Sequence, residues 1–327
     1  MAFTALSITE RYWGKSTDAK PAPDGPALLF EIDTGETYFY DNHSWIRSAW
    51  KDAFALGWKE IDGKPCISST PETHDIAGGL VSGESSWSKI GFHAAIDTTE
   101  LDMMPWAAAG AGYGWKYPWP TGALTMTLVS DSIQDDPAVA GTGVPGTGAY
   151  TVKVYYLNTA FEEKNVTVTM NGQTAVAVAA DIFRVQNMRI VTTGTANAAV
   201  GNLRLATSAP QTYGYISATK TRQRQCVWTV PLGKSLCITD IYFSCAQQAA
   251  SKYVRFIVRA GYDDKSGLVL QRGLFMPLKE VAVNNTAYNR TLTMPIHLPA
   301  TTDIAISAIS DSAAVGTCGL TGILHTI

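Results

Sequence analysis

Charge is scarce in this 327-residue sequence: 25 Lys and Arg with 28 Asp and Glu make up 16% of it, against roughly 25% in ordinary soluble domains. Set beside 46% hydrophobic residues, that scarcity excludes a solvated, disordered chain, which needs the opposite balance. Long apolar runs are missing as well. None nears the ~18 consecutive residues of a membrane helix, and the segment Met1–Trp13 has no basic stretch leading into an apolar one. The expectation is a protein that neither spans a membrane nor is exported by a signal peptide. Cys66, Cys226, Cys237, Cys245 and Cys318 are an odd set without a CxxC pair. A disulfide framework is therefore not expected, and reduced thiols from a cytoplasm are. His43, His74, His93, His297 and His325 form no HxxxH or HExxH pair, and no GxSxG elbow occurs. No catalytic constellation emerges, so the sequence predicts a non-enzymatic protein with no cofactor and no metal.

Three short motifs have plainer readings than their chemistry. Gly141, Gly143 and Gly146 fit GxGxxG, but Pro145 and a β-prone run follow where a helix N-terminus would have to face a pyrophosphate. That stretch reads as an inter-strand loop. Asp33-Thr34-Gly35 matches the tripeptide of aspartic proteases, which need two such carboxylates sharing a proton. It occurs once, between Ala27–Ile32 and Thr37–Tyr40, and reads as the turn of a hairpin. Asp131, Asp135 and Asp136 could gather oxygens for Ca²⁺, yet lack the spacing of a calcium loop and read as a solvated loop.

What is abundant is strand signal. Thr125–Val129, Tyr150–Leu157 and Asn165–Met170 alternate apolar and polar residues, the last ending at Asn171-Gly172, a strong hairpin dipeptide. Thr174–Val178, Phe183–Thr192 and Gly201–Leu205 continue the series. A second series runs through Gln225–Pro231, Ser235–Phe243, Lys252–Ala260 and Asp303–Ile309. Strands at this spacing without intervening helices predict β-sandwiches. The expected fold is all-β: two tandem, jelly-roll-like β-sandwiches after a small N-terminal β-hairpin module and a mixed linker. The expected boundaries are 1–60 for an N-terminal attachment module, 61–115 for a loop-rich linker, 116–208 for the first sandwich and 209–327 for the second. Ser44–Leu56 has the spacing of an amphipathic helix, and Pro65–Ser88 reads as loop.

The net charge of −3 hides an uneven layout. Residues 1–102 carry 8 basic and 16 acidic side chains (net −8), whereas 203–259 carry 8 basic ones and a single acid, Asp240 (net +7). Lys220, Arg222 and Arg224 alternate, and Lys252, Arg255 and Arg259 surround Tyr253 and Phe256. Basic residues among aromatics suit nucleic acid. They suit equally an acidic surface on a neighbouring subunit, or plain solvent. In a slightly acidic chain these six are the candidate subunit or capsid contacts, and nucleic acid is not expected as a partner.

Several stretches together resemble a known family. Tyr12-Trp-Gly-Lys-Ser-Thr-Asp-Ala-Lys-Pro with Phe30-Glu-Ile-Asp-Thr-Gly-Glu-Thr-Tyr-Phe-Tyr-Asp-Asn looks like a module near the start of tailed-bacteriophage virion proteins. Gly91-Phe-His-Ala-Ala-Ile-Asp-Thr, Val152-Lys-Val-Tyr-Tyr-Leu, Val168-Thr-Met-Asn-Gly and Val191-Thr-Thr-Gly-Thr resemble a β-sandwich of phage structural proteins. Gln225-Cys-Val-Trp-Thr-Val-Pro-Leu-Gly-Lys-Ser-Leu-Cys-Ile-Thr resembles the sandwich that accompanies it. The resemblance spans most of the chain apart from about Ser44–Lys89, and it transfers no site residues. It implies a virion component assembled in the host cytoplasm. Within that class a capsid decoration or cement protein is expected, a homotrimer resting on the major capsid protein or other virion proteins, because no fibre-shaft repeat occurs. The alternative is a tail fibre, adaptor or head-fibre protein that binds a host receptor such as a surface glycan. Nine Trp and 14 Tyr could supply stacking platforms for sugars, although core packing accounts for such residues more simply.

Overall fold

A computed structural model describes residues 10–23, 27–31, 37–40, 45–47, 58–61, 64–67, 76–79, 81–105, 117–139, 141–208, 211–247, 253–262, 276–284 and 286–327. The chain divides into two compact units, Met1–Gly78 and Gly79–Ile327.

The first unit is β-structure. Strands β1 (Glu10–Gly14), β2 (Ala27–Glu31), β3 (Thr37–Tyr40) and β4 (Trp45–Arg47) form one sheet in that order, and β5 (Trp58–Ile61) pairs with β6 (Lys64–Ile67). β2 and β3 are antiparallel, as the hairpin reading requires; Asp33-Thr34-Gly35 itself lies outside the described residues. β1 joins β2 in parallel. Glu31 is buried, and Lys20 meets it at 3.0 Å while lying over the Tyr38 ring. The helix expected over Ser44–Leu56 does not form at its start. Trp45 and Ile46 pair with Tyr40 and Phe39 instead, because backbone pairing with a neighbouring strand outweighs a periodicity that short apolar runs share between helix and strand. Residues 48–57 lie outside the described set.

The second unit holds two sandwiches. In the first, β10 (Ala149–Leu157) lies between β11 (Glu163–Thr169) and β13 (Arg184–Thr193). The opposing sheet runs β12 (Val176–Ile182), β9 (Leu124–Ser130), β14 (Leu203–Ala206), β15 (Thr212–Ile216). Inward residues of the alternating strands, among them Met126, Leu128, Val152, Val154, Met188 and Leu203, close an apolar core, each worth about 1.5–3 kcal/mol in buried apolar surface. Asn171-Gly172 does not close a hairpin. β11 and β12 belong to opposite sheets, and the turn docks on the loop after β9, with Ser130 N donating to Gly172 O and Gly172 N to Asp135 O, both at 3.0 Å. Its positive φ of 52° at Gly172 serves an arch between sheets, a use the dipeptide alone does not distinguish.

The second sandwich draws on distant parts of the sequence. β7 (Glu84–Ile96), β17 (Lys234–Gln247), β20 (Ala287–Leu298) and β22 (Ala314–Thr326) make one sheet, in the order β20-β17-β22-β7. The other holds β16 (Val227–Thr229), β21 (Thr302–Ser310), β18 (Val254–Tyr262) and β19 (Met276–Val283), with β8 (Leu101–Asp102) also on β21. Phe243 and Phe256 stack at 4.9 Å in its core beside Ile238, Val258, Ile306 and Leu320. Part of the stretch read as loop, 65–67 and 84–88, is strand. β7 runs antiparallel along β22 for most of its length, and its run of Ser and small residues is tolerated because ladder bonds and a buried partner, not propensity, hold it. The four described cysteines are free thiols; Cys66 falls among residues whose side chains are not described.

Candidate functional site

The two sandwiches are joined by a buried ion pair. Arg184, on β13, donates from Nε to Asp303 Oδ1 at 3.0 Å and from Nη2 to Asp303 Oδ2 at 2.9 Å, and the two side chains are 2% and 1% exposed. Nη1 reaches Pro120 O at 2.8 Å, and the guanidinium lies 3.8 Å from the Phe183 ring centre. Thr229 Oγ1 donates to the same carboxylate. Beside it, Gln186 exchanges hydrogen bonds with the Thr229 backbone, Nε2 to O at 2.5 Å and N to Oε1 at 3.1 Å. The Lys89 ammonium of β7 donates to Gln186 O, and burial pulls its pKa down to about 8.

The three aspartates considered for Ca²⁺ have separate tasks. Asp135 is fully buried and accepts from Ser130 Oγ (2.6 Å), Ala149 N (2.6 Å), Val200 N (2.9 Å) and Gly201 N (2.8 Å). Four donors on one carboxylate tie three loop segments at one end of the first sandwich. A Cβ at Gly148 would sit 2.0 Å from Asp135 Oδ1, so the knot closes only over a bare backbone. Asp136 caps Ala138 N at 2.8 Å, and Asp131 pairs with Arg204 at 2.7 Å. No group of three metal-ligating side chains occurs among the described residues. The tied loops carry exposed apolar side chains, namely Ile133 (51%), Val144 (62%) and Val200 (38%). Gly141 and Gly143 lie in this same inter-strand loop with φ of 80° and 65°.

The six basic candidates do not form one cluster on one element. Lys220 and Arg222 are exposed in the loop between β15 and β16, not on a strand, and Arg222 makes an isolated bridge to Arg189. Arg224 lies half-buried over the Phe92 ring at 4.8 Å. Arg255 and Arg259 are on β18 and meet acids of the chain itself, Glu280 at 3.4 Å and Glu100 at 2.8 Å. Lys252 lies outside the described residues. The Arg259–Glu100 pair joins the acidic first third to the basic block within one chain.

A groove of about 620 Å³ crosses the outer face of the β20-β17-β22-β7 sheet, within the ordinary 300–1,000 Å³ of ligand sites. Cross-strand pairing sets its rows. Asn289, Tyr242, Gly319 and Ile90 stand opposite one another, and the next outward row is Thr291, Asp240, Thr321 and Ser88. Gly319 leaves a gap between two exposed side chains, Tyr242 (38%) and Ile90 (49%), and that gap is the floor. Asp240 sits at a bulge in β17 and accepts from three hydroxyls: Thr291 at 2.5 Å, Thr239 at 2.7 Å and Thr321 at 3.1 Å. These bonds, led by Thr291, hold its carboxyl below the usual carboxylate range. The sequence singled out Asp240 only as the lone acid of the basic block. Thr239 is its neighbour on β17, but Thr291 and Thr321 come from β20 and β22, where no strand was expected.

No family model matches the chain, and no curated protein does. Among solved structures, that of the infectious bursal disease virus Gx strain aligns over 74% of this chain and 71% of its own at 10% identity, with a TM-score of 0.19. The VP2 subviral particle of infectious bursal disease virus aligns over 78% and 80% at 9% identity, with a TM-score of 0.17. Superpositions this loose carry no argument about fold or activity, so function rests on the residues above.

Proposed function

We propose that the chain is a non-enzymatic structural protein of a tailed-bacteriophage particle, a capsid decoration or cement protein that sits on the head as a homotrimer against the major capsid protein. The observation that carries this reading is the end of the first sandwich: Ile133, Val144 and Val200 are held outward by loops knotted on Asp135. Apolar side chains presented on a rigid tip favour contact with another protein surface. The clasp between the sandwiches keeps that tip fixed relative to the rest of the unit, as a static building block requires. Lys220, Arg222 and Arg224, with Lys252 outside the described residues, stay the basic candidates for a contact with a subunit or capsid, whereas Arg255 and Arg259 have partners within the chain. The resemblance of the motif stretches to phage virion proteins points the same way.

A second reading, a tail or head-fibre protein that binds a host receptor, is favoured by the groove beside Asp240. Immunogold labelling of purified virions distinguishes the two. Many copies over the head support decoration, a few at the tail support the receptor reading, and no label on particles overturns both.

A further inference from the structure

We infer that the groove on the β20-β17-β22-β7 sheet is a saccharide-binding site, in which a pyranose ring lies on Tyr242 and Gly319 and turns its hydroxyls toward Asp240, Thr321 and Asn289. The inference does not depend on where the protein sits on a particle.

Hydrogen-bond inventory gives the chemistry. Each threonine hydroxyl has one proton and two lone pairs, and the protons of Thr239, Thr291 and Thr321 are committed to Asp240. Of this cluster Asp240 and Thr321 line the groove, and they face it with acceptors, a hydroxyl lone pair and a carboxylate whose pKa those bonds depress, while Arg224 on the same lining adds guanidinium donors that a hydroxyl oxygen can accept. The complement is a ligand with several O–H donors close together. Asn289, which makes no side-chain hydrogen bond to a described residue, adds a donor and an acceptor on the next row. Tyr242 contributes an exposed ring with an apolar face and a polar tip, and Ile90 walls the opposite side. A pyranose ring with one C–H face and vicinal hydroxyls satisfies both halves, whereas a purely apolar ligand would bury the acceptor row without donors, at a cost of about 1–3 kcal/mol for each group left unsatisfied.

Gly319 makes the site testable without unfolding it. It has no left-handed φ, and a Cβ there would meet Lys89 O at 3.4 Å and Tyr242 Cβ at 4.0 Å, ordinary contact distances. Gly319→Val thus fits the strand while its methyl groups fill the floor.

The test applies the full chain to a printed array of bacterial surface oligosaccharides, followed by calorimetric titration of the best-bound one. The expected result is binding that falls tenfold or more in Gly319→Val, Tyr242→Ala and Asp240→Asn, with melting temperatures near that of the wild type and binding unchanged in Val315→Ala on the same sheet. Three results overturn the inference. One is that no saccharide binds above blank, or that binding survives all three substitutions. Another is a calcium-dependent rise in melting temperature that Asp240→Asn abolishes, which would make the cluster a cation site. The third is a shift from oligomer to monomer on Tyr242→Glu in sedimentation velocity, which would make this face a contact between copies.

Discussion

Replacing Asp303 with alanine tests how the two sandwiches hold together. The substitution strands Arg184, 2% exposed, without the carboxylate that accepts from its Nε and Nη2. Pro120 O and the Phe183 ring remain, but neither carries charge to balance the guanidinium. Breaking a buried pair in this way costs about 3–5 kcal/mol. For a unit the size of Gly79–Ile327, where each kcal/mol moves the melting temperature by about 2–4 °C, a fall of roughly 6–20 °C follows. The exposed Arg204–Asp131 pair, 48% and 40% accessible, is the internal control. Asp131→Ala should cost about 0–1 kcal/mol, because solvent screens such pairs. Removing both charges together, Arg184→Met with Asp303→Leu, should recover most of the loss, since no uncompensated ion remains. Calorimetry should also resolve two transitions in Asp303→Ala where the wild type shows one for this unit, if the pair couples the sandwiches. An Asp303→Ala protein within 1 kcal/mol of wild type, or a double variant no better than the single one, would refute this account.

Further outcomes follow from the other sites. Gly148→Ala pushes a Cβ into Asp135 Oδ1 and should cost about 2–4 kcal/mol by unsatisfying a buried carboxylate; Gly141→Ala, with nothing within 4 Å and φ of +80°, should cost only about 1–2 kcal/mol of strain. Equal urea midpoints for the two would count against the knot. Lys89 should penalise the fold below about pH 8 and stop doing so as pH rises to 10.5, because in that window the unfolded chain holds the proton that the folded one has released. The stability gap to Lys89→Met should narrow across that range, and a pH-independent gap would be contrary. Reversing the exposed Lys220 and Arg222 to Glu should weaken retention on virions at low salt and leave melting unchanged, and wild-type retention should fall as salt shortens the Debye length from ~10 Å at 0.1 M to ~3 Å at 1 M. Retention unmoved by 1 M salt would assign that contact to apolar surface.

How much of this was legible in the sequence depended on whether each signal was local. β10 and β11 alternate cleanly because each has one face in the core, so Tyr150–Leu157 and Asn165–Met170 announced themselves. β20 did not. On this edge strand Arg290, Thr293 and Met294 are exposed, and only Tyr288, Leu292, Ile296 and Leu298 are even partly covered, so exposed residues interrupt both faces and blur the alternation. β7 is rich in Ser and Ala and owes its conformation to β22, more than two hundred residues later. The groove inherits that limit. Tyr242 and Asp240 lay on an expected strand, but nothing in their own segment reveals that Thr291, Thr321 and Gly319 stand opposite them. The Asp135 knot was hidden for a related reason: three nearby carboxylates suggest a shared ion until the backbone donors that satisfy one of them are seen.

The tandem arrangement conceals a nesting that matters more than either boundary. The first sandwich, β9 to β15, is inserted between β8 and β16, and both of those strands pair with β21. The chain therefore leaves and re-enters the second sandwich on one strand, and Asp303, which clasps Arg184, belongs to that strand as well. Ile304, Ala305, Ile306 and Ala308 are buried on it in near-continuous succession, the pattern of a strand covered on both faces. Ala305 joins the core of the first sandwich, while Ile304, Ile306 and Ala308 join that of the second. One strand thus fixes the exit, the return and the orientation of the inserted sandwich. The Asp135 tip and the Asp240 groove, built on different sandwiches, are consequently held at a set separation, and a contact made through one leaves the position of the other unchanged.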